Sequence, residues 1–158
     1  MSNEAAPDSA TAATGSSTKW VALAAMMFAV SMMFIDQTIV SIAIPTIQTE
    51  LGLSDAGVQW VINGYLLSLS AFFALGGRLS DILGHKRMVL LGVTIFAISS
   101  AMCGATPDSS IAEAWLIFFR ILQGIGAALL FPAALAIVVS AFPLKERRKA
   151  LALFCGIT

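Results

Sequence analysis

Apolar residues run almost unbroken through four stretches of the chain: residues 20–45, 58–76, 88–105 and 111–142. Each is long enough to cross bilayer hydrocarbon as a helix, which takes about 20 residues. A fifth apolar run starts at about Ala150 and continues to Thr158. The pattern predicts an all-α, polytopic membrane helix bundle containing four spans and the start of a fifth.

The segments between the spans are short and polar. Leu51 to Gly57 joins the first and second spans, and Gly104 to Ser110 joins the third and fourth. Ser110 followed by Glu113 fits a capping box that starts the fourth helix at Ile111. Pro143 closes that helix before the basic run Lys145 to Lys149. Between the second and third spans, Gly77-Arg78-Leu79-Ser80-Asp81-Ile82-Leu83-Gly84-His85-Lys86-Arg87 reads as a tight turn, with glycines for a sharp reversal and Asp81 a lone acid among basic residues. Small residues recur at Gly64, Ser68 and Gly76 and at Gly124, Ala128 and Pro132, and such faces let helices pack closely in lipid.

Composition removes the soluble classes. The 158 residues are 58% hydrophobic and 11% charged, with a mean hydropathy of +0.90. The formal net charge is zero, and no nucleic-acid partner is expected; the lipid bilayer is. The charges are sorted, however. With the N-terminus inside, Arg78, Lys86, Arg87, Lys145, Arg147, Arg148 and Lys149 all fall on the cytoplasmic side, while the opposite loops carry Glu50, Asp55, Asp108 and Glu113. That sorting predicts a multi-pass protein of the cell membrane with a cytoplasmic N-terminus. Trp20, Trp60 and Trp115 lie at span ends, where indoles favour the headgroup region.

Residues 1–18 are rich in Ala, Ser, Thr and Gly, which predicts a disordered cytoplasmic tail ahead of a membrane domain over 19–158. No signal-peptide pattern precedes the first span. Cys103 and Cys155 fall near opposite faces of the membrane and are expected as packing thiols, since a disulfide between them would have to cross it. His85 is expected to be a solvated loop side chain, and most of the Met and Phe residues of the first span to pack against lipid or neighbouring helices.

Two ionisable residues stand inside apolar spans: Asp36 in the first and Arg120 in the fourth. Each costs about 3 kcal/mol there on insertion scales, so such groups normally face a partner or a water-filled path. Asn63 and Gln123 fall at comparable depth, which predicts a polar layer of Asp36, Asn63, Arg120 and Gln123. Two readings stand. The pair is either a static fixer of helix register or a site that exchanges protons.

The turn residues Gly77, Leu79, Asp81, Gly84 and Lys86 resemble the signature between the second and third helices of the major facilitator superfamily. Asp36-Gln37-Thr38-Ile39-Val40 with Ala43-Ile44-Pro45 resembles the first-helix motif of its drug:proton antiporters with fourteen spans. Gln59-Trp60-Val61 with Tyr65-Leu66-Leu67 is similar to the second helix of that branch, and Arg120 to Ala128 to its fourth-helix motif. Glu146-Arg147 with Ala150 resembles the start of its fifth helix, while Ile82 and His85 stand where the family often has basic residues.

The resemblance implies an N-terminal part of a proton-coupled exporter of amphipathic or cationic compounds, completed by the remainder of the transporter bundle. It implies no cofactor, with the proton gradient as energy source, and no enzyme chemistry. Asp36, Arg120, Gln123 and Asn63 would form the coupling and substrate cavity. Gly77, Asp81, Gly84, Lys86 and Arg87 would form the cytoplasmic gate. The alternatives are a transporter of another small solute on the same fold, or a small four-helix structural or regulatory membrane protein.

Overall fold

A computed structural model describes residues 9–107 and 111–157. It contains five helices among them: α1 (Ser9–Leu51), α2 (Asp55–Leu83), α3 (His85–Gly104), α4 (Ala112–Ala141) and α5 (Leu144–Ile157). Four are long and apolar enough to cross a membrane: Trp20–Leu51 within α1, and α2, α3 and α4 whole.

The helices run further than the apolar pattern suggests, for identifiable reasons. Pro45 does not end the first helix but lies inside α1, as Pro132 lies inside α4. Each proline removes only the N–H that would bond the carbonyl four residues earlier, and membrane helices tolerate that loss where neighbouring helices or hydroxyl side chains supply partners. The expected tail is helical from Ser9 onward, continuous with the span, since adding residues to an existing helix is easier than nucleating one. Residues 1–8 lie outside the described residues, as do Asp108 of the acidic loop and Ser110 of the expected capping box; α4 begins at Ala112. The basic run is not a loop either, because α5 begins at Leu144 rather than near residue 150.

The predicted Gly77 to Arg87 turn shrinks to one residue. Helix α2 continues through Gly77 and Asp81 to Leu83, and α3 starts at His85. Only Gly84, at φ 93°, breaks the chain, in a backbone region that favours glycine. The intervening Arg78-Leu79-Ser80-Asp81-Ile82-Leu83 contains no residue that stops a helix, so the helix simply outlasts its apolar part. Across the break, Ser80 Oγ and His85 Nδ1 hydrogen-bond at 2.5 Å, so His85 is partnered and partly buried rather than freely solvated.

Helix α4 is the axis of the bundle, packed against α2 on one side and α3 on the other. Lipid supplies no hydrophobic drive between helices, so close backbone contact must hold them. The small-residue faces do this. A Cβ added at Gly76 would strike the Ala128 carbonyl oxygen, and one at Gly124 would lie 2.5 Å from the Tyr65 carbonyl oxygen. On the other face, a Cβ at Gly92 would lie 2.8 Å from the Gly126 carbonyl oxygen. Ala127, Ala128, Ala133 and Ala134 are fully buried between these contacts.

The antiparallel run gives the bundle two chemically different ends. Trp20 of α1 stacks edge-on against Phe142 at the close of α4, with ring centroids 5.3 Å apart, at the end that also holds the Gly84 break and the basic residues. At the other, acidic end, Glu113 Oε2 accepts from both the backbone N–H and the Oγ of Ser54, each at 3.0 Å. Ser54 in turn caps α2 by accepting from the Gly57 N–H. There too, Gln48 Nε2 donates to Asp55 and Trp115 Nε1 to the Met102 carbonyl.

Candidate functional site

Nearer the acidic end than the basic one, Arg120 is buried on α4 with a side-chain exposure of 2%. A guanidinium there needs acceptors for its five N–H groups, and four hydrogen bonds supply most of them. Nη1 donates to Asp36 Oδ2 at 2.7 Å and to Gln123 Oε1 at 2.9 Å. Nη2 donates to Gln37 Oε1 at 2.7 Å, and Nε to the Val61 carbonyl at 3.3 Å. The Tyr65 ring covers the guanidinium, 4.7 Å from Cζ to centroid, a cation–π contact. The Asp36 carboxylate, 15% exposed, uses its second oxygen to accept from Ser100 Oγ at 3.4 Å.

Three of the four expected layer residues therefore meet: Asp36, Arg120 and Gln123. Asn63 does not. Val61, Gly64, Tyr65 and Ser68 form the inward stripe of α2, and Asn63 lies on the exposed face between them. Similar depth was the reason for grouping it, and depth says nothing about which side of a helix a residue occupies. Gln37, Tyr65 and Ser100 complete the site without having been singled out. Tyr65 was findable, since it lies four residues after Val61 and one after Gly64 on a small-residue face. Ser100 carried no signal in sequence.

The Arg120 fork separates two cavities. Toward the acidic end, one of about 230 Å³ has Asp36, Arg120, Ser100 and Cys103 around its polar part and runs past Ile47 to Leu53 and Gly104. Cys103, expected as a packing thiol, thus lines a cavity, while the Cys155 side chain lies outside the described residues. Toward the basic end, one of about 260 Å³ is walled by Met33, Phe34, Tyr65, Phe73 and Phe131, with Gln37 as its polar group. Asp36 faces the first cavity and Gln37 the second. The first-span Met and Phe residues divide accordingly, with Met33 and Phe34 on a pocket and Phe28 75% exposed.

The expected gate residues sit at the basic end. Gly77 is half-buried near Pro132 of α4, whereas Asp81, Gly84, Lys86 and Arg87 are exposed around the Gly84 break. Among the described residues, no group of His, Cys, Asp and Glu could hold a metal ion.

Comparison with known proteins places this arrangement. The family model described as Major Facilitator Superfamily matches residues 26–157. The chain belongs to the major facilitator superfamily. With four helices of membrane-spanning length and apolarity, it is a multi-pass membrane protein of that superfamily. Among its superfamily relatives, an uncharacterised MFS-type transporter, EfpA, of Mycobacterium tuberculosis is 44% identical over 124 residues, covering 78% of this chain and 23% of the relative. The tetracenomycin C resistance and export protein of Streptomyces glaucescens is 40% identical over 138 residues, 87% of this chain and 25% of the relative. The riboflavin transporter RibZ of Clostridioides difficile is 36% identical over 140 residues, 89% and 29% respectively. The chain thus spans less than a third of the length of each of these relatives.

Proposed function

We propose that this chain is the N-terminal part of a secondary antiporter of the drug:proton branch with fourteen spans, which exports amphipathic, often cationic, small molecules in exchange for protons. The observation that carries the reading is the Arg120 fork: a carboxylate held at 2.7 Å by a buried guanidinium, beside a cavity. A proton arriving at Asp36 removes its charge and weakens its hold on Arg120 Nη1, while Gln123 keeps the arginine in place on α4 and Gln37 remains as the single side-chain link from α1 to the guanidinium. Proton occupancy at Asp36 is thereby converted into looser attachment of α1 to α4. The aromatic and methionine walls of the basic-end pocket suit an apolar ring system, because thioether and aromatic side chains adapt to varied shapes. The tetracenomycin C relative, described as a resistance and export protein, agrees with this direction of transport.

The basic end is cytoplasmic on this reading, by the bias of Lys and Arg. Exposed Asp81, Lys86 and Arg87 there would contact the remainder of the transporter bundle, with Gly77 allowing close packing on α4 and Gly84 the break, together forming the gate. Asp36→Asn in the full-length transporter tests the coupling, since the amide keeps size and loses the titratable charge. Inverted membrane vesicles given a proton gradient should lose cationic dye accumulation completely, measured per amount of folded transporter in the membrane. Accumulation at the wild-type rate would leave Asp36 with a register role only.

A second reading, transport of another small solute on the same frame, is favoured by the riboflavin transporter among the relatives. The same vesicles separate the two readings. Proton-independent movement of riboflavin with no dye transport would select the second.

A further inference from the structure

Resting on that antiport reading, we infer that protons reach Asp36 through the acidic-end cavity, with Ser100 of α3 positioning the incoming proton, so that proton and solute approach Arg120 from opposite sides. The hydroxyl of Ser100 behaves unlike its neighbours. Hydroxyls within the spans mostly bond back to their own helix: Thr38 to the Phe34 carbonyl, Ser70 to that of Leu66, Thr94 to that of Leu90. Ser100 instead donates across the cavity to Asp36 Oδ1 on another helix. Asp36, Ser100 and Arg120 all border the acidic-end cavity, and neither Asp36 nor Ser100 borders the basic-end pocket. Between the two compartments stand the Arg120 Nη2–Gln37 hydrogen bond and the Tyr65 ring.

A cavity of 230 Å³ has room for several waters, each occupying about 30 Å³ in the liquid, and its carboxylate, guanidinium and hydroxyl give them partners. The titratable groups beside Asp36 on this cavity are Arg120 from α4 and Cys103 from α3, with Tyr65 of α2 on the far side of the guanidinium. None lies between the carboxylate and the acidic end except the Cys103 thiol. The step balances without another reactant. A hydronium ion in the cavity gives its proton to Ser100 Oγ as the Ser100 hydroxyl proton passes to Asp36 Oδ1. This leaves water, a neutral serine and a protonated Asp36.

Ser100→Ala and Ser100→Thr in the full-length transporter test the route. Ser100→Ala should slow proton-coupled dye efflux about tenfold, at the weak end for a positioned proton donor because water can partly substitute. Dye affinity should stay unchanged, the pH profile should shift, and Ser100→Thr should restore the rate. Wild-type rate and pH profile in Ser100→Ala, with the protein folded, would overturn the role of Ser100.

Cys103 gives an independent reading of the cavity. In a Cys155→Ser background, a membrane-impermeant cationic methanethiosulfonate added outside intact cells should label Cys103, located by peptide mass. Labelling only after denaturation would overturn the route. Loss of all proton coupling in the wild type, with Cys103 still labelled from outside, would instead defeat the antiport reading and leave the water-filled cavity standing.

Discussion

Helices α1 and α4 contain the paired charges Asp36 and Arg120 and are held in opposite ways. Helix α4 touches its neighbours through backbone, at Gly76, Gly92, Gly124 and Gly126, where no side chain fits. Helix α1 leaves Phe28 75% and Ile42 74% exposed and is tied to α4 by the Arg120 fork and apolar packing around Val30 and Met33. Backbone contact of the first kind has no adjustable part. A hydrogen-bonded ion pair does, because one proton changes it. On the antiport reading proposed above, the trio α2–α4–α3 would act as a rigid frame and α1 as the element whose attachment depends on protonation.

The largest expected effect comes from breaking the frame. Gly124→Leu would drive a branched side chain into Ser68 and the backbone of Tyr65. Overpacking of this kind costs about 1–3 kcal/mol where neighbours can yield, and backbone cannot yield as a side chain does. Folded protein in detergent, read by size-exclusion chromatography, should be nearly lost. Survival with normal yield would mean that α2 and α4 are not held by close approach, and the comparison would collapse.

Breaking the seam should have an intermediate effect, one that depends on how it is broken. Arg120→Gln leaves Asp36 without its guanidinium, and stranding one member of a buried pair costs about 3–5 kcal/mol. Asp36→Asn combined with Arg120→Gln removes both charges and should recover most of the folded yield, while remaining unable to couple transport to protons. Equal yields for the single and double variants would mean that the seam is not electrostatic. Proton-driven efflux in the double variant would move the coupling site elsewhere in the transporter.

The frame was largely legible in sequence and the seam only in part, for the same physical reason. Small residues spaced along apolar helices announce close packing wherever they occur, and Gly76, Gly124 and Ala128 met as their spacing implies. Charges in hydrocarbon announce themselves too, and Asp36 found Arg120 because neither could remain unpaired. The partners Gln37, Tyr65 and Ser100 are ordinary in composition and matter only through the rotation of their helices, which periodicity cannot fix when nearly every face is apolar. The same blindness placed Asn63 in the layer. Helix ends were overlooked for a related reason: apolarity marks where the bilayer stops, whereas the helices continue to Leu51 and Leu83, until Gly52 and Gly84 adopt positive φ.

The smallest effect should come from the clasp at the acidic end, which ties the α1–α2 turn to α4 without charges being buried. Glu113 accepts two hydrogen bonds from Ser54 at 3.0 Å, in the same place as the α2 cap. These donors are exposed, so water can replace the carboxylate when it is removed. Glu113→Ala should therefore lower stability by about 1 kcal/mol, seen as a fall of a few degrees in the midpoint of thermal unfolding in detergent. Efflux rate should be unaffected, because Ser54 and Glu113 join α2 to α4, both within the proposed frame. A loss as large as that of Arg120→Gln would show that α1 is held at its end rather than at its middle. In that case a proton at Asp36 could not free it, and the distinction between a fixed frame and a protonation-dependent helix would fail at its most exposed point.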